Sequence, residues 1–198
     1  PTRVQGSSTL LLQDCAPNAQ HVKLVFPARD NMPKVAMPEV EVHWYDGGMM
    51  PDRPEGFPQG KELMGEGGGL CIFHGTKDTL ICGCYGVNPW LLSGRKPNVP
   101  QTLRRVKDAM KGGHEQDWIR ACKESAGSRV QTKSNFLEAG PFNEMVVMGV
   151  LAVRLQRLNK ELLWDGPNMR FTNIDPNETI KIIKKDTFEV IDGDPKFK

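Results

Sequence analysis

His43, Tyr45, Lys77 and Trp90 carry side chains able to hold a small ligand through hydrogen bonds and ring contact. His43-Trp44-Tyr45-Asp46 closes an alternating segment beside a Gly- and Pro-rich stretch. Strand ends and the loops beyond them are where sites are usually built. Imidazole and phenol groups offer hydrogen bonds to a polar ligand, and an aromatic ring offers a flat apolar face. Trp44 shares its side of the strand with Val40 and Val42, so core packing is its better reading. Asp46 is read as ending the strand by bonding to the Gly47-Gly48 turn. Trp90 follows Asn88-Pro89 in a segment read as a loop, where so large an apolar group should pack on a ligand or a partner domain. Lys77 is expected at a hairpin tip, where a solvated amine is the competing reading. His114 precedes a helix and reads as a capping or packing residue, and Met49-Met50 as a flexible interface.

The cysteines and the charge balance exclude more than they suggest. There are five cysteines, Cys15, Cys71, Cys82, Cys84 and Cys122, an odd number in a chain that is not small, which argues against a disulfide framework. Cys82-Gly83-Cys84 is not a zinc-ribbon spacing and has no complementary second pair. It reads as two small apolar side chains on one face of a strand, and no metal site is expected. The chain has 198 residues with 38% hydrophobic and 25% charged, the composition of a folded domain. A net charge of +2 provides no field that would gather nucleic acid. The basic residues near Arg104–Lys111 and Lys181–Lys185 read as solvated faces.

No membrane partner is expected either. The longest apolar stretch, Met145–Val153, is interrupted by Gly149 and falls short of the roughly 18–20 residues a bilayer requires. The chain opens on Pro1-Thr2-Arg3, with neither an initiator Met nor a signal peptide, and is read as beginning inside a longer protein. Cytoplasm and periplasm both stay open as its compartment.

These residues need elements to position them. Arg3–Leu12, His21–Phe26 and Val40–Tyr45 read as strands; in the second, Val22, Leu24 and Phe26 oppose His21, Lys23 and Val25. Residues 47–69 are too rich in Gly and Pro for a helix or a central strand. Leu70–His74 and Thr79–Cys84 form a hairpin about Gly75-Thr76-Lys77-Asp78. His114–Glu124 reads as an amphipathic helix with Trp118, Ile119 and Cys122 inward. Asn143–Asn159 is the strongest helix, with Pro141 near its start, and is apolar nearly all round, so deep burial is expected. Gly149 within it should mark close packing on a sheet. Leu162–Asp165 and Asn168–Phe171 read as short strands about Gly166-Pro167, with Trp164 in the core. Asn173–Lys185 reads as a last helix, and Asp186–Lys198 as edge or loop. Strands and helices occupy separate stretches of the chain. The expected fold is α+β, a mostly antiparallel open sheet with helices packed on one face and the other face free.

Five blocks go further: HWYDGGMMPDRP (43–54), GEGGGLCIFHGTKDTLICGCYGVNPWLL (65–92), HEQDWIRACKE (114–124), SNFLEAGPFNEMVVMGVLAVRL (134–155) and LLWDGPNMRFTN (162–173). In order and spacing they resemble the carboxyl-terminal domain of the glucose–fructose oxidoreductase/inositol dehydrogenase (Gfo/Idh/MocA) family, over roughly residues 1–175. The nearest resemblance is to bacterial putative oxidoreductases, some of whose relatives are nicotinamide-dependent glycosidases.

The resemblance implies a glyceraldehyde-3-phosphate-dehydrogenase-like α+β fold, with residues 1–198 forming one substrate-binding and oligomerisation domain. It implies a sugar or polyol substrate, NAD or NADP in the full-length enzyme, and an amino-terminal Rossmann domain as partner. It also implies homo-oligomers formed through the open sheet face. This chain has no G-x-G-x-x-G turn; Gly65-Glu66-Gly67-Gly68-Gly69 follows a loop and opens a strand, which is the wrong context for a nucleotide. Neither the Glu-Lys-Pro-like motif nor the Asp and His of the family's catalytic segment maps onto any residue here. No catalytic and no cofactor-binding residue is therefore assigned. His43, Tyr45, Trp90 and Lys77 are the substrate-binding candidates, and the chain alone is expected to be catalytically silent. The other readings are a domain of an NAD-dependent glycosidase of the same family, or a non-enzymatic carbohydrate-binding or scaffolding module.

Overall fold

The computed structural model describes residues 1–11, 15–31, 37–63, 69–100, 106–108, 111–175, 177, 188–191 and 194–197, the last two stretches by backbone alone. The elements run β1 (Arg3–Ser8), β2 (Gln20–Phe26), β3 (Val40–Tyr45), β4 (Leu70–His74), β5 (Thr79–Gly83), β6 (Trp90–Leu91), α1 (Gly113–Lys123), α2 (Phe136–Arg154), β7 (Leu162–Asp165), β8 (Arg170–Phe171), β9 (Phe188–Ile191) and β10 (Asp194–Phe197). The fold is α+β, and every pairing between these strands is antiparallel. The chain divides into two compact units, Pro1–Met50 with Asp108–Lys198, and Pro51–Lys107.

The first unit is built on a five-stranded sheet in the order β3-β2-β1-β7-β8, with α2 packed against β1 and β2. Alternation decides which side chains meet the helix. The register pairs Val4 with Leu24, Gly6 with Val22, and Val4 with Leu162, which places all five on one face. There Val4, Val22, Leu24 and Leu162 bury against Met148, Ala152 and Val153 of α2. Burying each of the larger side chains contributes about 1.5–3 kcal/mol. Closest approach occurs at Gly6: a Cβ there would lie 2.6 Å from the backbone nitrogen of Val153. Gly149 meets only the side chain of Val22, at an ordinary 3.5 Å. The close packing expected at the helix glycine thus falls on the strand glycine instead. Gln156, in a short 3-10 turn after α2, clamps the end of β1: its Oε1 accepts from Ser8 N at 2.8 Å and its Nε2 donates to Ser8 Oγ at 2.8 Å.

Helix α2 departs from its sequence reading in two ways. It begins at Phe136, because the Asn135 side chain accepts from the backbone nitrogens of Leu137 (2.9 Å) and Glu138 (3.3 Å). Pro141 therefore lies inside the helix rather than in its first turn. Only Met148, Ala152 and Val153 of α2 are buried, while Phe136, Leu137, Phe142, Val146, Val147 and Val150 are exposed, Phe136 at 92%. A helix that is apolar all round need not be sheathed all round: one side covers the sheet and the other stands bare. By length and composition alone α2 could also cross a bilayer, contrary to the sequence reading, although its inner side is committed to the sheet.

Helix α1 also turns differently. Gly113, Asp117 and Ala121 form its buried side, whereas Trp118 and Cys122 are exposed. Asp117 is tolerated inside because its carboxylate accepts from Arg120 at 3.2 Å and from the backbone nitrogen of Lys133 at 3.1 Å. Trp164 packs against the core as expected, edge-on to Phe171 at 5.0 Å, with its Nε1 donating to Glu144 Oε1 at 2.7 Å. β9 and β10 form a separate two-stranded sheet in the carboxyl-terminal stretch read as edge or loop.

The second unit is the expected hairpin, β4 and β5, extended by β6 into a three-stranded sheet. Its core is Phe57, Leu63 and Ile81, with Leu70, Ile72, Trp90 and Leu92 packed on it. The Gly65–Gly69 string falls largely, and the Arg104–Lys111 and Lys181–Lys185 clusters partly or wholly, outside the described residues, as does most of the Asn173–Lys185 helix.

Candidate functional site

The face of the five-stranded sheet away from α2 carries most of the polar side chains of β2 and β3, with Val25 fully buried beside them. β2 contributes His21 and Lys23, and β3 contributes Glu41, His43 and Tyr45. Pairing His21 with Tyr45 and Lys23 with His43 gathers them into a patch. The rings of His21 and Tyr45 stack with centroids 4.5 Å apart. The rings of His21 and His43 are nearly parallel, at 7°, with centroids 5.2 Å apart, and His21 Nε2 lies 3.0 Å from His43 Nδ1. His43 Nε2 in turn lies 3.2 Å from Glu41 Oε2. A carboxylate only accepts, so His43 donates from Nε2, its Nδ1 accepts, and His21 donates from Nε2. One proton on each ring satisfies the whole chain.

The chain of partners continues in alternating sign. Lys23 Nζ lies 4.0 Å from Glu41 Oε1 and 3.0 Å from Glu161 Oε2. Glu161 Oε1 lies 3.3 Å from Arg3 Nε, and Arg3 Nη2 donates to Glu39 Oε1 at 2.6 Å. These pairs are partly solvated, so each contributes at most about 1 kcal/mol. Together they fix the positions of the donors and acceptors on the face. The His21 pKa is held below the ordinary histidine value by burial first, then by His43 and Lys23. Near neutral pH the patch therefore presents a neutral imidazole beside a phenol, flanked by paired charges.

Trp44 lies on the helix side of β3 as alternation requires, but it is 59% exposed instead of core, because β3 is the edge strand. Its Nε1 donates to Asp46 Oδ2 at 2.8 Å. Asp46 does not cap its own turn with its carboxylate. It accepts from Gln20 N at 3.0 Å and Gln20 Nε2 at 2.9 Å, locking the ends of β2 and β3 together.

The four predicted contacts fall in different places. His43 and Tyr45 come together on the open face of the first unit. Lys77 is exposed at the tip of the second unit's hairpin. Trp90 lies in strand β6 rather than in a loop, opposite Ile81, with its ring 5.9 Å from Phe57 and Lys61 Nζ 4.5 Å above it. Beside Trp90, Lys61, Glu62 and Asn88 is a cavity of about 240 Å³, below the usual range for small-molecule sites. Asp78 ties the hairpin tip down: it accepts from Thr79 N at 2.8 Å and from Ser93 Oγ at 2.5 Å, and Ser93 foremost holds its carboxyl below the usual range.

The residues that sequence reading missed are His21, Lys23, Glu41 and Glu161. Alternation had set His21 and Lys23 on the polar side of their strand; the register across β2 and β3, which joins them to His43 and Tyr45, is not written in either strand alone. His114 bonds through Nδ1 to Ser134 Oγ at 3.0 Å. Among the described residues, no group of three His, Cys, Asp or Glu side chains is placed to hold a metal. Neither a protein-family model nor a curated protein matches the chain.

Proposed function

We propose that this chain is the substrate-binding and oligomerisation domain of an NAD(P)-dependent sugar or polyol oxidoreductase of the Gfo/Idh/MocA kind, working with a separate nucleotide-binding domain. The bare apolar side of α2 carries this reading. Phe136, Leu137, Phe142, Val146, Val147 and Val150 make an exposed hydrophobic strip on a helix whose other side is fully committed, the condition expected of a helix that a second domain covers. The resemblance of the five sequence blocks supports the same assignment.

In this reading the hydroxyl and imidazole groups of Tyr45, His43 and His21 bond to sugar hydroxyls or to a facing copy of the sheet. The paired charges from Glu39 to Lys23 set the register of that contact. Hydride transfer requires the nicotinamide that the partner domain supplies. The test is turnover: this chain, supplied with NAD or NADP and a panel of sugars and polyols, reduces no nicotinamide. Cofactor-dependent turnover by this chain alone would overturn the proposal.

A further inference from the structure

Cys71 and Cys82 face each other directly across the β4–β5 hairpin. The ladder bonds fix the kind of pair. Gly75 N donates to Asp78 O at 3.0 Å, and Cys84 N donates to Gly69 O at 3.2 Å. Counting in twos from either bond makes Cys71–Cys82 a hydrogen-bonded pair, for which Cα atoms stand about 5.5 Å apart. That lies inside the span a disulfide bridges, about 4.4–6.8 Å. Both side chains lie on the face of the hairpin opposite the Ile81–Ile72 core pair, close enough for the Cys82 thiol to bear on that of Cys71. Cys82 is buried and Cys71 half-buried, so Cys71 is the sulfur a reagent meets first. Cys84 follows two residues after Cys82, on the same face, and is exposed.

We propose that Cys71 and Cys82 form a dithiol site for reversible oxidation by low-molecular-weight disulfides. The Cys71 thiolate attacks one sulfur of the reagent disulfide, forming a mixed disulfide and releasing one reduced thiol. The Cys82 thiolate then attacks the Cys71 sulfur, forming the Cys71–Cys82 bond and releasing the second reduced thiol. Two protein thiols are oxidised, one reagent disulfide is reduced to two thiols, and the protein's two protons end on them. The product staples β4 to β5. Burial, with Cys82 and Cys84 nearby, pushes the Cys71 thiol up, so the first step accelerates as pH rises above the ordinary thiol range. This site is independent of the sugar-oxidoreductase reading.

The test is disulfide mapping on the intact chain. The protein is incubated with oxidised glutathione, alkylated, and cut with trypsin without reduction. Expected is a link between peptides 62–77 and 78–95 with fragmentation placing the bridge on Cys82, Cys15 and Cys122 alkylated, and the link lost on adding dithiothreitol. Cys84→Ser keeps the link and Cys82→Ser abolishes it. A bridge from Cys71 to Cys84, glutathione adducts without the link, or five alkylated thiols would each overturn the proposal.

Discussion

His21 Nε2 and His43 Nδ1 lie 3.0 Å apart across the β2–β3 ladder, within hydrogen-bond distance, with both rings nearly parallel. His43 Nε2 faces Glu41 Oε2 at 3.2 Å, which ties the pair of rings to a carboxylate. His43, Lys23, Glu41 and Tyr45 surround the His21 ring.

This arrangement sets a pH dependence. The His21 pKa is lower in the folded chain than the ordinary 6.5, so the unfolded chain takes up the proton first as pH falls. The stability associated with neutral His21 is complete above pH 6.5 and declines as pH drops below it, toward the folded value. Thermal melts between pH 7.5 and 5 should show Tm falling with acidity, and His21→Gln should flatten that part of the profile. At lower pH a second loss follows: Asp78 and Glu124 have pKa values held below their ordinary 3.8 and 4.5, so their contribution is present above those values and disappears beneath them.

The two glycines that bracket the core separate close approach from mere proximity. Gly6→Ala would force a methyl group into the α2 backbone at Val153, costing about 3 kcal/mol, since that backbone cannot step aside without unseating the helix. Gly149→Ala should be neutral or stabilise by up to about 1 kcal/mol, because Val22 leaves ordinary contact distance and alanine favours the helix. Urea denaturation of both variants reads the two signs directly.

Much of this architecture is legible in the sequence. Alternation placed β2 and β3 and sorted their faces, the hairpin about Gly75–Asp78 announced itself through its turn, and Gly166-Pro167 marked the join between β7 and β8. Hydrophobicity was the poorer guide to burial. Trp44 and the outer residues of α2 are apolar yet exposed, because exposure depends on what lies opposite, which a single strand or helix does not encode. Asp117 was missed for the converse reason: a charged residue is buried in α1 once Arg120 and the Lys133 amide satisfy it. Likewise the candidate site spans strands, and its His21–His43–Glu41 chain exists only once register is set.

Helix α2 predicts a contrast between its two sides. Met148→Ala, at a position 1% exposed, should cost about 2–5 kcal/mol. Val147→Ala, next to it but 55% exposed, should stay within about 0.5 kcal/mol of the unaltered chain. Val150→Glu should likewise leave this chain folded, yet weaken its association with a covering domain. Circular dichroism melts check the first part, and co-purification with that domain the second.

The open sheet face predicts association sensitive to salt. Arg3, Glu39, Lys23, Glu41 and Glu161 pair with one another within the chain; in the proposed pairing with a facing copy the same charges would meet across the contact, so self-association should weaken as ionic strength rises and weaken further in Arg3→Ala. Light scattering across a salt series reads both effects; a mass unchanged by salt and by the substitution would set this face aside.

The proposed role, placing a sugar or polyol before a nicotinamide that a partner domain holds, has a direct test. It is nicotinamide reduction by this chain together with the proposed nucleotide-binding domain, supplied with NAD or NADP and a panel of sugars and polyols. Turnover of at least one of them is expected, with KM raised in His43→Ala and Tyr45→Phe. Absence of any nicotinamide reduction across that panel, with both domains folded, would contradict the proposal.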